Sequence, residues 1–522
     1  MDRLIEKTKE VIFAKQTSIL SSTLIISSML VVSRFFGFLR NRVLAGYFTK
    51  EELDIYLAAF RFPDLIFEIL ITGALTTTFI PFFIKYQKDK KTHGDNISTI
   101  INLITLVLFG FVAIFYILTP YLMGIVTPGF SKVKPDMIAF YSQMLLVGQL
   151  PFLVLGNFLT GISQAKKSFL LPAIAPILYN LAVIATTLLF HQYLYLMAPV
   201  VGIIIGAFLF FLIQLPILFF SDYTYRPIIK KTKAVWEFIK LVIPRIFTVI
   251  VAQIDATIDL TLTTLLGAGS YTVFYFAQHL QLLPVSVIGI AFGQASLPYL
   301  SEVFHNQNMK EFKKIVSDSI LNLFFLTMPL ACFFIFARTP LVRFFYGGEK
   351  FDWDATVTTA YTLSYFALSI PFHSIYYFLT RCFYAIFDSK TPFYLGLFSI
   401  AFNFTLSILF TLVFKMPVWA LAISFSTSMI VNVLLLGGIL HFRLKGLDLK
   451  FMAIEGLKIS VAAISSSIMV YYLQKLLDGL IFDTTRTINV FLLLVTGATV
   501  YFVLYLGISW VLNVKEMYLL TH

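Results

Sequence analysis

Long apolar runs alternate with short polar connections along the whole chain. We count fourteen runs of roughly 20–31 residues, each long enough to cross a membrane as a helix. Pro63, Pro151, Pro284 and Pro371 lie inside such runs and predict kinks. The predicted limits are 17–46, 53–84, 97–122, 136–163, 170–191, 196–220, 235–266, 271–301, 314–337, 356–386, 392–414, 416–441, 452–474 and 487–512. The pattern predicts an all-α polytopic membrane protein with 14 transmembrane helices.

The composition agrees with this prediction. Of the 522 residues, 59% are hydrophobic and 13% are charged, which is more apolar surface than one soluble core can bury. The two cysteines, Cys332 and Cys382, predict neither a disulfide framework nor a metal site. The net charge of +12 comes from basic residues in short loops, so we interpret it as a signal of membrane topology and not of nucleic-acid binding.

The basic residues concentrate in loops on one side of the predicted membrane. Cytoplasmic loops carry an excess of lysine and arginine, and an even number of spans places both termini on the same side. The richer loops carry Lys85, Lys88, Lys90, Lys91, Lys166, Lys167, Arg226, Lys230, Lys231, Lys233, Lys310, Lys313, Lys314, Arg443, Lys445 and Lys450. We therefore expect both termini in the cytoplasm.

Landmark residues recur at a shift of 220 positions. The shift superposes Pro151-Phe152 on Pro371-Phe372 and Thr119-Pro120 on Thr339-Pro340. This repeat predicts a six-helix N-terminal lobe over 1–234 and a six-helix C-terminal lobe over 235–445. Two further helices lie within 446–522. In transporters built from such repeats, the substrate site lies between the repeats near the membrane midplane.

The segment 53–84 carries a polar stripe. At about 100° per residue, its polar members fall within roughly 80° of one helix face. Each charge at the membrane centre costs about 2.5–3.5 kcal/mol on insertion scales. The stripe comprises Asp54, Arg61, Asp64, Glu68 and Thr72. Such a face borders either a water-filled pathway or internal ion pairs that only stabilise helix packing.

The segment 17–46 carries further cations near Ser33. Arg34 lies about seventeen residues from the cytoplasmic end, roughly 25 Å along the axis. Arginine suits phosphate because its planar fork donates paired hydrogen bonds and keeps its charge. For Arg40, snorkelling to the outer surface is the alternative reading. We expect Ser33, Arg34 and Arg40 to contact an anionic substrate, and Asp54 to gate the outer side by pairing with Arg40 or Arg61.

Two later segments carry weaker candidates. Arg245, Asp255 and Asp259 lie on roughly one face of the seventh segment and predict gating or binding of a coupling cation, with a structural role as the alternative. His279 in the eighth segment predicts either a substrate contact or a hydrogen-bonded packing residue.

The sequence contains no catalytic or cofactor signature. It has no glycine-rich phosphate loop with Lys-Ser/Thr, no His-Glu-x-x-His motif and no cysteine pair. We therefore expect a transporter and not an enzyme, without a cofactor or bound metal. Its work would come from Na⁺, H⁺ or the membrane potential.

Two motifs carry a resemblance to a known family. They are Ser33-Arg34-x-x-Gly37-x-x-Arg40 and Asp54-x-Tyr56-x-x-Ala59-Phe60-Arg61-x-Pro63-Asp64-Leu65. With them the chain resembles the MurJ/MviN lipid II flippase family, within the multidrug/oligosaccharidyl-lipid/polysaccharide exporter superfamily. The resemblance covers nearly the whole length.

The resemblance implies a function in peptidoglycan biosynthesis. Family members move lipid II, an undecaprenyl-pyrophosphate-linked disaccharide-pentapeptide, from the inner to the outer leaflet of the bacterial cytoplasmic membrane by alternating access. They bind it in a cationic cavity between two lobes, and the last two helices form a groove for the lipid tail. The implied partners are lipid II, membrane lipids and the cell-wall synthesis machinery, and no nucleic acid.

The chain departs from the family at four charged positions. Phe67 replaces an arginine, Thr72 a glutamate, His279 a further cavity arginine, and Asn41, directly after Arg40, an acid. These departures leave three alternatives open: a flippase for another polyprenyl-pyrophosphate-linked glycan, a cation-coupled exporter of small amphiphiles, and a scaffold that does not transport.

Overall fold

The chain is helical throughout the part that the structure describes. This computed structural model describes residues 19–71, 79–86, 93–130, 135–166, 168–220, 225–480 and 486–520. It is 88% helix, and no strand occurs among these residues. Contacts along the chain define two compact units. The first unit is Met1–Gly269 with Gly348–Lys350, and the second is Ser270–Gly347 with Phe351–His522.

The first unit contains eleven described helices, numbered in chain order. They are α1 (Ile19–Tyr47), α2 (Lys50–Ala58), α3 (Arg61–Leu70), α4 (Ile80–Tyr86), α5 (His93–Val126), α6 (Pro135–Gly148), α7 (Leu150–Ala165), α8 (Leu170–Leu194), α9 (Met197–Leu212), α10 (Pro216–Phe220) and α11 (Lys233–Leu265).

The second unit contains ten described α-helices and two π-helical turns. The helices are α12 (Ser270–Pro284), α13 (Ala291–His305), α14 (Met309–Phe336), α15 (Arg338–Tyr346), α16 (Trp353–Ala367), α17 (Ile370–Ala385), α18 (Lys390–Ile408), α19 (Trp419–Arg443), α20 (Leu449–Leu480) and α21 (Thr487–Val511). The π-helical turns are Val285–Ile290 and Leu409–Val413.

The segment 53–84 is not one continuous helix, so that prediction was wrong. α2 begins in a capping box, in which the Thr49 hydroxyl accepts from the Glu52 N–H and the Glu52 carboxylate accepts from the Thr49 N–H. α2 ends at Ala58, and α3 begins at Arg61. Pro63 lies in the first turn of α3, where a missing N–H breaks no helical bond. Asp54 and Arg61 therefore lie on separate helices.

The other three prolines lie where the helices are irregular. Pro151 and Pro371 lie in the first turns of α7 and α17, which follow α6 and α16 after short breaks. Pro284 ends α12 and is followed by the π-helical turn Val285–Ile290. Proline lacks the N–H of a regular helix, so such irregularities are common beside it. The kinks themselves stay a prediction.

The core of the first unit is aromatic and aliphatic. Phe79 and Phe158 are fully buried, and their rings meet edge to face with centroids 5.3 Å apart. The same core includes Phe238 of α11, whose ring packs on Phe82 at 5.5 Å. α11 is thus part of the first unit, although the sequence repeat assigns residues 235–266 to the second lobe. The lobe limits 1–234, 235–445 and 446–522 stay a prediction.

An extended connection, residues 225–232, joins α10 to α11 and lies along the start of α5. The Asn102 side chain donates to the carbonyls of Arg226 and Ile228, at 3.1 and 2.9 Å. The Ser98 and Thr99 hydroxyls accept from backbone N–H groups of the connection. Asp95 forms ion pairs with the side chains of Arg226 and Lys230, at 2.9 and 2.5 Å. α5 therefore holds this connection by backbone and side chain together.

The second unit packs around α17. Phe378 and Phe383 of this helix are fully buried in an aliphatic and aromatic cluster that includes Phe312 of α14. The two C-terminal helices also contact α14, since the Tyr505 hydroxyl donates to the Phe325 carbonyl at 2.9 Å.

The chain is a multi-pass membrane protein. Ten helical stretches among the described residues are long and apolar enough to cross a membrane. They match ten of the fourteen predicted segments; the other four are 17–46, 53–84, 235–266 and 356–386. The count of fourteen spans stays a prediction.

Candidate functional site

Arg61 is the centre of the polar contacts in the first unit. Its side chain is 8% exposed, and Nη2 donates to both the backbone carbonyl and the side-chain Oε1 of Gln253, at 3.0 and 2.5 Å. These bonds join the start of α3 to the middle of α11. Gln253 is neutral, so this contact orients the guanidinium without cancelling its charge.

Other predicted charges lie in the same neighbourhood. Asp64 and Glu68 follow Arg61 at i+3 and i+7 and share its face of α3. The charges that act on Asp64 are those of Arg61, Glu68 and Arg40. On the surface of the first unit, the Asp64 side chain is exposed, whereas the side chains of Glu68 and Arg40 are half-buried. The structure therefore brings together charges that the sequence placed on two different segments.

The predicted coupling carboxylates belong to this neighbourhood as well. Asp259 is 7% exposed, and the charges that act on it are Asp255 and Arg61. Asp255 is half-buried one turn earlier on α11. The sequence repeat assigned both acids to the second lobe, whereas the contacts of the structure group α11 with the first unit. Arg245 lies on the same helix, but its side chain is outside the described residues.

Asp54 binds a sharp turn. Its side chain is 1% exposed, and Oδ2 accepts from the backbone N–H of Gly269 at 2.5 Å. Gly269 has φ +86°, a left-handed conformation that favours glycine, and it directly precedes α12. A Cβ built on Gly269 would lie 2.5 Å from the Lys50 side chain. Asp54 thus fixes the connection that follows α11; its pairing with Arg40 or Arg61 stays a prediction.

The three predicted contacts on α1 differ in their surroundings. Arg40 donates from Nε and Nη2 to Oδ1 of the buried Asn41, at 3.2 and 3.1 Å. Arg34 is exposed, and no ion pair is recorded for it within the described part of the chain. Ser33 is half-buried and lines a cavity.

The cavity beside Ser33 lies among α1, α7 and α8. Its volume is about 170 Å³. Thr160 and Gln164 supply polar groups, and Pro172 and Pro176 form an apolar wall. The remaining lining residues are Met29, Phe169 and Ala173. This space is large enough for a few water molecules or a short polar group, and it is smaller than a typical ligand pocket.

His279 has a packing contact in the second unit. Its ring lies 4.3 Å from that of Tyr275, centroid to centroid, and it is half-buried on α12. Phe67 is half-buried against the core of the first unit. Thr72 lies outside the described residues. No group of three or more His, Cys, Asp or Glu side chains suited to a metal ion occurs in the described ranges.

Sequence reasoning missed Gln253 and Gly269, and it identified Asn41 as a departure from the family but not as the partner of Arg40. Each binds a predicted residue through an amide, and neutral amides give no charge signal along the chain. One sign was available for Gln253. It precedes Asp255 in an otherwise apolar run of α11, where a polar residue implies a buried partner.

Comparisons with known proteins agree on a family. The model of the lipid II flippase MurJ family matches residues 44–491. A probable lipid II flippase MurJ of Bdellovibrio bacteriovorus is 27% identical over 516 residues, which cover 96% of this chain and 96% of that one. A probable lipid II flippase MurJ of Rickettsia prowazekii is 27% identical over 407 residues, which cover 75% and 78%.

Solved structures show the same fold. A structure titled lipid II flippase MurJ, inward closed conformation, has a TM-score of 0.75 at 24% identity and covers 94% of this chain and 100% of that chain. An inward-facing multidrug resistance MATE family transporter of the MOP superfamily has a TM-score of 0.69 at 13% identity, with coverage of 81% and 98%. With the family model matching most of its residues, the chain belongs to the lipid II flippase MurJ family.

Proposed function

We propose that this chain is a lipid II flippase of the bacterial cytoplasmic membrane. The observation that carries the proposal is the family match over residues 44–491, which includes α3 and α11, the helices that hold every member of the charge cluster of the first unit except Arg40. We define that cluster as Arg40, Arg61, Asp64, Glu68, Asp255 and Asp259. The protein acts as a transporter and carries out no covalent chemistry on its substrate.

The charge cluster supports binding of a pyrophosphate. Arginine forks donate paired hydrogen bonds to phosphate oxygens. Arg61 and Arg40 are each oriented by a neutral amide, from Gln253 and Asn41 respectively. A neutral amide orients each guanidinium without adding an acid, so an incoming anion competes with the carboxylates already in the cluster. Asp64 and Glu68 compete with that anion, which favours release once the substrate has crossed.

Alternating access through fourteen helices completes the proposal. The site would then lie between two six-helix lobes, with both termini in the cytoplasm and the last two helices forming a groove for the lipid tail. The basic loops and the repeat at 220 residues support this arrangement. Ser33, Arg34, Asp54 and His279 are proposed to contribute to substrate binding.

Energy for transport is proposed to come from the membrane potential, Na⁺ or H⁺. Moving one elementary charge through 100 mV is worth about 2.3 kcal/mol. When an anion moves outward across a membrane that is negative inside, the membrane potential favours the movement by this amount. Asp255 and Asp259, with Arg245 on the same helix, are the candidate groups for coupling a cation. Their position beside Arg61 would link cation binding to the charge that holds the substrate.

The test is rescue of a bacterium depleted of its own lipid II flippase. We expect the chain to restore growth and the appearance of lipid II in the outer leaflet. We expect Arg61→Ala to abolish rescue at an unchanged protein level. If this chain restored only the export of another lipid-linked glycan, or conferred only drug resistance, that result would contradict the proposal. The scaffold alternative predicts no rescue by the unmodified chain and no binding of lipid II to the purified protein.

A further inference from the structure

Arg381 is a cation inside the second unit that the proposed mechanism does not use. It lies on α17, four residues before the helix ends at Ala385, or about 6 Å along the axis. The side chain is half-buried. A charge on a membrane helix is costly and marks a functional site by default. A partner that balances the charge of Arg381 is therefore expected.

Within the described part of the chain, no acid pairs with Arg381. Its Nε is buried and has no hydrogen-bond acceptor among the described residues. A buried donor without a partner costs about 1–3 kcal/mol, and more when the group is charged. The fold keeps this group nonetheless. A ligand with acceptor oxygens at the exposed part of this half-buried side chain would balance its charge.

The acid closest in sequence is already engaged. Asp388 accepts hydrogen bonds from the Lys390 and Thr391 N–H groups and from the Thr391 hydroxyl. It also pairs with Arg443 at 2.7 Å. Burial alone would raise the pKa of Asp388, but the Thr391 hydrogen bonds and the Arg443 charge outweigh it and lower that pKa. Asp388 is therefore committed to its own loop and to α19.

Three tyrosines surround the guanidinium of Arg381. It lies 5.5 Å from the centroid of the Tyr384 ring, within cation–π range. The phenols of Tyr376 and Tyr377 lie close enough to interact electrostatically with Arg381. Each phenol supplies an O–H donor, and none supplies a negative charge at neutral pH. The group is thus a cation with nearby neutral donors, which is the chemistry of an anion site.

Close helix packing fixes this arrangement. A Cβ built on Gly293 of α13 would lie 3.0 Å from the Tyr377 carbonyl oxygen. A Cβ on Gly289, in the π-helical turn before α13, would lie 2.6 Å from Cα of Ser374. Both glycines allow α17 to approach closely along the face that carries Ser374, Tyr377 and Arg381. The backbone that carries the tyrosines is therefore held firmly, which limits rearrangement toward another partner.

We propose that Arg381, with Tyr376, Tyr377 and Tyr384, binds the phosphate group of a membrane lipid at this end of α17. Two lipid classes share that chemistry: a polyprenyl pyrophosphate and an anionic phospholipid such as phosphatidylglycerol. The exposed ring of Tyr384, at 41%, leaves one side of the site open to a lipid. The site is separate from the charge cluster of the first unit and does not depend on the proposed flippase activity.

The test measures lipid binding to the purified full-length protein in detergent by native mass spectrometry. The lipids are undecaprenyl pyrophosphate, phosphatidylglycerol and, as a lipid without phosphate, diacylglycerol. Arg381→Ala and Arg381→Gln are compared with the matched control Arg338→Ala. Arg338 also lies over a tyrosine, at 4.9 Å from the ring of Tyr361, but it donates to the Ile335 carbonyl.

We expect both Arg381 variants to bind phosphate lipids at least about tenfold more weakly, since hydrogen bonds to charged groups are worth about one decade or more. Arg338→Ala and the diacylglycerol arm should not change. Loss for the pyrophosphate alone assigns the site to the carrier, and loss for both lipids assigns it to lipid phosphates in general. Either result supports the proposal.

Unchanged phosphate-lipid binding by Arg381→Gln, which keeps most of the side-chain shape, would overturn the proposal even if Arg381→Ala fails to fold. Thermal unfolding separates a ligand site from a structural role. Arg381 has no acid partner in the described protein, so Arg381→Gln should unfold at or above the wild-type temperature without lipid. A fall in that temperature together with unchanged lipid binding would assign Arg381 to packing.

Discussion

Gln253→Glu tests whether Arg61 binds substrate through its charge, with the neutral Gln253 only orienting the guanidinium. The substitution keeps the acceptor oxygen that lies 2.5 Å from Arg61 Nη2 but makes it a carboxylate. Two unit charges 4 Å apart attract each other by about 4 kcal/mol at an effective dielectric constant of about 20. A phosphate must then compete with this internal ion pair. With each 1.4 kcal/mol worth one decade, and some attraction lost to desolvation, we expect affinity to fall by roughly a hundredfold to a thousandfold.

The assays are rescue of a flippase-depleted strain and binding of lipid II to the purified protein. We expect Gln253→Glu to lose both while its thermal stability is kept or raised, because the new carboxylate pairs with a buried cation. Gln253→Met is the control, since it removes the acceptor, keeps the length and adds no charge. Full rescue and wild-type binding by Gln253→Glu would refute the reasoning. Equal loss in Glu and Met would mean that the amide acts by geometry and not by charge.

Three further predictions concern stability and docking. Gly269→Ala should destabilise the protein by about 1–2 kcal/mol, because φ is +86° at this residue. Gly110→Ala in α5 is the control and should not destabilise it, because a Cβ there meets open space. Thermal unfolding measures both variants. Asp95→Asn should lower the stability only slightly, since Arg226 and Lys230 are exposed, and 0.5 M salt should shrink the difference. Burial raises the pKa of Glu516 above 4.5; a backbone hydrogen bond opposes this shift, and the charge of Glu455 reinforces it. Docking of residues 512–520 should therefore be strongest below pH 4.5 and weaken as the pH rises through the raised pKa. Maleimide labelling of Val514→Cys, a position 1% exposed, should therefore increase with pH by more than labelling of free cysteine does, and Glu516→Gln should remove that excess; a wild-type profile that only follows free cysteine would contradict the assignment.

Hydrophobic periodicity predicted most of the helices. α1, α5, α14 and α21 begin and end within a few residues of the predicted segments, because an apolar run of that length has no other stable form in a membrane. The break between α2 and α3 was missed. Pro63 marked a bend, but the pattern alone does not show that the chain leaves the helix at Ala59 and re-enters at Arg61.

The candidate site was predicted only in its local part. Arg61, Asp64 and Glu68 lie on one face because their spacing follows the helical period. The contact from Arg61 to Gln253 joins residues 192 apart, and that from Asp54 to Gly269 joins residues 215 apart. Periodicity carries no information on such pairs. The repeat assigned Arg61 to the first lobe and Asp255 and Asp259 to the second, and it did not predict that these particular residues meet.

The clamped connection 225–232 has a mechanical consequence. Loops between helices commonly absorb motion, because their backbone is hydrogen-bonded to water and rearranges at little cost. Here Asn102, Ser98 and Thr99 hold the backbone of the loop on α5. These hydrogen bonds attach the connection to α5, so a tilt or slide of α11 should also move α5. The two helices should therefore move together as one rigid body.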